Sequence, residues 1–345
     1  MTGIGIVGYG LAGRVMHANL IRRVPGLAIR AVVSTDPTRR AAATADGVPR
    51  LYDSFDALLR DDEVELVVVA TTHDTHASLA VRALRAGKHV VVDKPMAVTL
   101  AEADAMVDAA AAAGRMLSVF HNRRWDWDYL TVRRVIDEGL IGRPYLFETA
   151  VVGYRAPRGT WRDEPTTMGS LVHDWGAHLV DHALLLVGKP VERVGCRILR
   201  PRPRPAVGNY ARIDLTFADG PLYTIEVGNL GRPGKPRWYV LGDEGGIVKQ
   251  GLDPQERALR ATGSVDDAVE LPEERTRVTT TVAGQPAEIV LEAVRGSWVE
   301  YYRNVWAHLN EGAPLAVTAE QAREVIRVLD AAVRSDRTGE PVRLA

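Results

Sequence analysis

The chain runs to 345 residues, 46% hydrophobic and 25% charged, a globular balance with length for two domains. Lys plus Arg total 43 against 44 for Asp plus Glu, so no basic excess directs it to nucleic acid or to an anionic lipid surface. One cysteine, Cys196, excludes a disulfide framework and a cysteine-rich zinc site, and no apolar run approaches the roughly 20 residues of a membrane span. The amino terminus, MTGIGIVGYG, has no basic segment ahead of a long apolar core. It reads as a strand, not a signal peptide, and predicts a cytoplasmic protein.

Residues 1–121 alternate short apolar runs with helical patterns. Candidate strands are 4–7, 28–33, 66–70, 89–92 and 116–120, each continuous in apolar character, as parallel strands buried on both faces must be. Helical patterns fall at 12–24, 37–45, 54–60, 75–86 and 99–113. Gly26, Gly87 and Gly114 follow three of them as stop signals, and Thr99 with Glu102 makes a capping-box pattern. This alternation predicts an α/β fold, a doubly wound parallel sheet of the Rossmann kind. After residue 121 the pattern changes. Helices are expected at 128–138 and 169–187, then alternating strands at 191–199, 211–217, 222–227 and 238–241, with a loop at 201–209 and a last helix opened by Thr318 and Gln321. The expected organisation is 1–121 as a dinucleotide-binding domain and 122–345 as an α+β domain for substrate and self-association. Its mostly antiparallel sheet would have an open face, a candidate oligomer interface.

The loop GYGLAG, residues 8–13, follows a strand and opens a helix. Gly8 permits the tight turn, Gly10 lets the backbone approach a pyrophosphate, and Gly13 lets helix pack on strand. Together with Leu11 and Ala12 they present N–H groups and the positive end of the helix dipole. The acid expected about 20 residues on, for the ribose hydroxyls, is Ser34 here. Ser34 and Thr35, with Arg39 and Arg40 close by, suit a 2′-phosphate and favour NADP(H) over NAD(H). The competing assignment makes Asp36 the ribose acid and the arginines solvated helix charges.

The fifth strand ends in Asp93-Lys94-Pro95. A lysine there points into the ligand crevice and can polarise a substrate oxygen. The run HDWGAHLVDH, 173–182, puts Asp174 and His178 four apart on one helix face. His182 is rotated away and no zinc-ligand spacing exists, so no metal is expected. Oxidation of a secondary alcohol needs its hydroxyl proton removed. His178 is suited to take it near neutral pH, with Asp174 holding it and Lys94 polarising the oxygen.

GYGLAG, DKP and H-D-x-G-x-H-x-x-D, in that order, resemble the Gfo/Idh/MocA (glucose–fructose oxidoreductase/inositol dehydrogenase) family over nearly the whole chain. The resemblance implies a Rossmann domain followed by an α+β domain with a large open sheet. It also implies action on sugars, inositols or related polyols, and a homodimer or homotetramer. It implies Lys94, Asp174 and His178 as the catalytic set, and places Thr71, Thr72, His73 and His76 along the nicotinamide. The chain departs from the family in having Thr72-His73 for the usual Pro-Asn, Met168-Gly169-Ser170 for three glycines, and His173 where an aromatic is common. FHNRRWD at 120–126, WRDE at 161–164 and QGLDPQE at 250–256 are similar to the bacterial NADP-dependent scyllo-inositol dehydrogenases. Asn122 could then contact cofactor, and Arg123, Trp161 and Arg162 the substrate. The leading expectation is an NAD(P)-dependent dehydrogenase acting on a CH–OH group. Two alternatives stay open: a nicotinamide-dependent glycosidase of the same family, and a non-catalytic NADP-binding sensor.

Overall fold

The computed structural model describes residues 1–156 and 159–344. The chain divides into two compact units. One comprises 1–122, 257–267 and 297–326; the other comprises 123–256, 268–296 and the chain from 327 onward.

In the first unit the continuous apolar runs form the expected sheet. Its strands are β1 (Thr2–Val7), β2 (Leu27–Val33), β3 (Arg50–Tyr52), β4 (Leu66–Val69), β5 (His89–Val92) and β6 (Leu117–Val119). All pairs are parallel, in the order β3-β2-β1-β4-β5-β6. This is the doubly wound order, and its direction of winding reverses between β1 and β4, where the sheet opens a crevice at the carboxyl ends. Ile4, Ile6, Val67, Val68, Val90 and Val91 have no exposed surface, which is why both faces of these strands had to be apolar. β3 was not expected: three half-exposed residues are too few to carry a period.

The Thr99–Glu102 capping box forms at the head of the helix Leu100–Ala113, and Gly114 ends it with φ at +59°. The helix after the glycine loop is shorter than the expected 12–24. It is wound as a π-helix over Leu11–Ala18 and closes at Ile21. The buried Tyr301 and Tyr302 of the helix Val299–Glu311 serve this unit, Tyr301 with Ser118 Oγ (2.9 Å) and Tyr302 with His17 Nδ1 (2.6 Å).

The second unit is built on nine strands. They are β7 (Pro144–Val152), β8 (Val191–Leu199), β9 (Tyr210–Phe217), β10 (Leu222–Gly228), β11 (Trp238–Gly242), β12 (Gly246–Lys249), β13 (Thr276–Val282), β14 (Gln285–Leu291) and β15 (Val342–Arg343). Their order is β14-β13-β12-β11-β7-β10-β9-β8-β15, and only the β7–β10 pair is parallel. Along β7 and β10 one set of side chains is buried, including Phe147, Thr149, Tyr223 and Ile225. The helix Trp175–Val187 packs on this side. The opposite side carries Leu222 at 63% exposure and Tyr239 at 37%, so an apolar fringe remains open.

One helix expectation needs correcting. Residues 169–187 are not one helix. A short 3₁₀ turn covers Leu171–His173, Asp174 breaks it with φ −77° and ψ −90°, and the α-helix starts at Trp175. Ser170 explains the break: its Oγ accepts from Val172 N (3.3 Å) while His173 Nδ1 accepts from Ser170 N (3.1 Å), a capping box that ends within one turn. No helix among the described residues is long and apolar enough to cross a membrane.

Candidate active site

The crevice of the first unit is made chiefly of backbone. Gly8 sits at φ +88°, and a Cβ there would meet Ala70 O at 2.4 Å. A Cβ on Gly13 would meet Gly8 O at 2.0 Å. These two glycines let the loop fold onto β4 and onto itself. A Cβ on Gly10 would point at the guanidinium of Arg39, 3.7 Å from its Cζ. The open backbone at Gly10 therefore has a cation beside it, and the residues present suit a dinucleotide phosphate.

The four residues read for NADP do not act alike. Arg39 faces the glycine loop. Arg40 turns back and donates to Ser34 O (3.0 Å), Tyr52 O (3.3 Å) and Asp53 Oδ1, tying the ends of β2 and β3 together. Arg40 is therefore a strand-end tie, and the expectation of two arginines beside the cofactor reduces to one. Asp36 is the N-cap of the helix Pro37–Ala45: its Oδ1 accepts from Arg39 N (3.0 Å), and Oδ2 lies 3.7 Å from Arg39 Nε. Ser34 Oγ accepts from Asp36 N (3.2 Å). Thr35 lies between them with no partner that the geometry singles out.

After β4, Thr71 and Thr75 share a hydroxyl hydrogen bond (2.6 Å), and Thr75 also donates to Thr72 O (2.7 Å). His73 is buried with its ring 5.6 Å from that of His76. His76 is wholly buried and its Nδ1 lies 2.8 Å from Pro95 O, so it braces the DKP turn. Burial lowers its pKa, with Asp93 and Pro95 opposing. Asp93 Oδ1 accepts from Lys94 N (2.9 Å) and lies 3.7 Å from His17 Nε2. Burial alone would raise the Asp93 carboxyl. His17, Lys94 and His76 outweigh it and hold the pKa well below the usual carboxylate range. The turn that carries Lys94 is thus fixed from behind by an ionised aspartate. Asn122 follows β6 and is buried.

The second unit holds the acid/base candidates. Asp174 is the N-cap residue of the helix Trp175–Val187, and His178 lies in its first turn, 4% exposed. The indole of Trp175 meets the His178 imidazole edge-on, centroids 5.9 Å apart. Arg123 lies over the other part of that indole, Cζ 4.1 Å from the ring centroid. Arg123 is in turn paired with Asp126 (3.0 Å) and Glu256 (2.6 Å). Burial opposes its charge, but Asp126, Glu256 and Asp253 raise its pKa. Arg123 therefore acts on Trp175, and through it on His178. Arg123, expected at the substrate, is held in the interior by both carboxylates and lies on Trp175.

The other polar residues of HDWGAHLVDH are structural. Asp181 takes a two-point pair from Arg124 (2.9 and 2.6 Å). His182 is fully buried between Tyr129 and Trp238, its Nε2 2.8 Å from Arg123 O. Burial and the nearby Arg237 push its pKa down to about 3. Among the described residues the acids close enough to share an ion are Asp126, Asp128 and Asp253, and no histidine joins them. Arg123 pairs with Asp126 (3.0 Å) and Arg237 with Asp128 (2.9 Å).

Asp174 and Trp175 also line a pocket open to solvent. Arg162 lines it too, with its guanidinium over Trp161 at 4.2 Å. Met168, where the chain departs from three glycines, lines it as well. Arg155 and Asn229 also line it and were not read from the sequence; they follow the ends of β7 and β10, where no period or motif marks a side chain as pocket-facing.

Comparison with known proteins identifies the family. Residues 2–121 match the GFO_IDH_MocA description, an oxidoreductase family with an NAD-binding Rossmann fold, and residues 133–344 match its C-terminal alpha/beta domain. The chain is 32% identical to scyllo-inositol 2-dehydrogenase (NADP(+)) IolW of Bacillus subtilis, over 99% of this chain and 95% of that protein. It is 30% identical to the D-apiose dehydrogenase of Paraburkholderia graminis, over 98% of this chain and 88% of that one. Among solved structures, the oxidoreductase yvaA of Bacillus subtilis superposes with a TM-score of 0.93 at 30% identity, covering 99% of this chain and 98% of that one.

Proposed function

We propose a reaction from the premise that the chain belongs to the Gfo/Idh/MocA oxidoreductase family and is an NAD(P)-dependent dehydrogenase acting on CH–OH groups. The substrate is a secondary alcohol, or the matching ketone, of a cyclic polyol or sugar. The reaction resembles that named for the scyllo-inositol relative. The cofactor is NADP(H) in preference to NAD(H). Gly8, Gly10, Leu11, Ala12 and Gly13 hold its pyrophosphate on backbone N–H groups. Arg39, with Ser34 and Thr35, takes the 2′-phosphate. Residues 1–121 serve the cofactor. Residues 122–345 serve the substrate and self-association, through the open sheet side that carries Leu222 and Tyr239.

The bound nicotinamide supplies a hydride acceptor or donor. Everything else is done by side chains. Lys94 binds the reacting oxygen and stabilises the negative charge that grows on it. His178 takes the hydroxyl proton during oxidation and returns one during reduction. Asp174 orients the histidine and stabilises its protonated form. Trp161 and Arg162 bound the substrate.

The observation that carries this reading is the broken helix start. It puts Asp174 in the pocket wall and His178 one turn on, in edge contact with the Trp175 indole on which Arg123 lies. The test is a panel of inositols and hexoses, each offered with NADP and with NAD, followed by nicotinamide absorbance. Net nicotinamide reduction with a polyol or sugar, faster with NADP, is expected. Sugar cleavage without net nicotinamide reduction would replace the dehydrogenase reading with the glycosidase one.

A further inference from the structure

We propose that the substrate carries an anionic group, a carboxylate or a phosphate, and that an arginine cluster at the pocket of the second unit receives it. This rests on the pocket that holds Asp174 being the substrate site.

Three separate loops contribute the cations. Arg155 and Arg162 line the pocket itself. Arg202 and Arg232 converge on Tyr154, the neighbour of Arg155, with Cζ atoms 5.7 and 4.0 Å from its ring. Arg202 also donates to the Tyr154 hydroxyl (3.2 Å). The cluster is local, since the whole chain has a net charge of −1.

These arginines differ from their neighbours. Arg200 is paired with Asp336, Arg212 with Asp214 and Lys235 with Glu226. Among the described residues, none of the four cluster arginines has a carboxylate in ion-pair range. Arg162 is half-buried, and its Nε is shielded from water with no acceptor among the described residues. A shielded guanidinium N–H without an acceptor is costly, and a bound oxyanion removes that cost. Two acids share the wall. Asp163 is occupied by Gly159 N, and Asp174 belongs to the reacting end.

A neutral polyol does not account for this arrangement. Its hydroxyls need acceptors as well as donors, whereas a guanidinium only donates, in a fork that fits carboxylate and phosphate oxygens. A neutral sugar or inositol leaves the guanidinium charges uncompensated, whereas an anionic group on the same ring offsets them.

The test uses the full-length protein saturated with NADP and a matched set of ligands: glucose, methyl glucuronate, glucuronate and glucose 6-phosphate. Binding is measured by calorimetry, so it is read whether or not turnover occurs. At least one anion should bind roughly tenfold tighter than glucose at low ionic strength, with the margin shrinking as added salt shortens the screening length. Methyl glucuronate, which lacks the charge, should behave like glucose. Glucuronate ahead of the phosphate identifies a carboxylate substrate, and the reverse a phosphate. Arg162→Ala should remove most of the margin. The surface change Arg232→Gln should reduce it by roughly two- to threefold without any demand on folding. Equal binding of glucose and both anions at low salt, or no binding of either anion, overturns the inference. Turnover is scored separately. Anion preference in binding, with no nicotinamide turnover of any inositol, hexose or anion tested, counts against the polyol or sugar assignment and leaves this inference standing; turnover of neutral sugars with no anion preference does the opposite.

Discussion

The glycine loop and the HDWGAHLVDH segment hold their functional groups in opposite ways. In the loop the geometry is backbone: Gly8 at φ +88° and Gly13 against Gly8 O leave no room for a side chain, and a helix start follows directly. In the segment the geometry is a relay of side chains. Asp126 and Glu256 hold Arg123, Arg123 lies on Trp175, and Trp175 meets His178. A site made of backbone is written in a few adjacent letters. A site made of side chains draws on residues more than a hundred positions apart.

That difference makes the second site the easier one to break from a distance. Arg123→Ala would remove the guanidinium that pairs with Asp126 and Glu256 and lies on Trp175. The expected loss is about 3–5 kcal/mol of stability, measured by urea unfolding. Any folded fraction should show a kcat lower by roughly tenfold, the scale of a misplaced reacting group. An Arg123→Ala protein of full stability and full kcat would remove the relay from the account.

Acid sharpens the same contrast. His182 stays neutral in the fold, with a pKa pushed down to about 3 from 6.5. The unfolded chain takes a proton below pH 6.5 that the native chain refuses, so stability falls as pH drops, by about 1.4 kcal/mol per unit for this residue. Asp253 works the other way. Burial and Asp128 push its carboxyl up to about 6, so between pH 6 and the ordinary aspartate range the native state binds the extra proton and gains stability. Between pH 6.5 and 4.5 a His182→Gln protein should therefore lose about 2 kcal/mol less than the parent. An unchanged acid slope would contradict the buried neutral histidine.

In the first unit the expected effects are smaller. Arg39→Ala should weaken NADPH binding roughly tenfold, about 1.4 kcal/mol, and NADH binding at most twofold. Asp36→Ala should cost about 1 kcal/mol of stability through the lost cap, with little change in NADH affinity. Fluorescence titration distinguishes the two cases. A large loss of NADH affinity in Asp36→Ala would make Asp36 the ribose ligand after all.

The same comparison explains what could be read in advance. The parallel sheet, the glycine loop and the Thr99–Glu102 and Thr318–Gln321 caps were legible because each is a short pattern with one physical meaning. β13 and β14 were not: much of the hairpin is exposed, so Thr, Arg and Glu interrupt any alternation. The break at Asp174 was hidden because a capping box on Ser170 with histidine as its third residue does not follow the usual Glu or Gln pattern. Arg40 was misplaced for another reason. Charge and spacing cannot say which of two adjacent arginines faces the loop, and the answer came from the carbonyls at the ends of β2 and β3.

The division of labour between the two regions is tested most directly by His178→Asn, measured twice on one preparation. Its kcat for the best polyol or sugar should fall by roughly two to four orders of magnitude, the usual scale for losing an acid/base group. Its NADPH dissociation constant, from fluorescence titration, should stay within about twofold of the parent, because the glycine loop and Arg39 carry that binding. A variant that keeps its kcat, or one that loses NADPH affinity in step with kcat, would contradict the account.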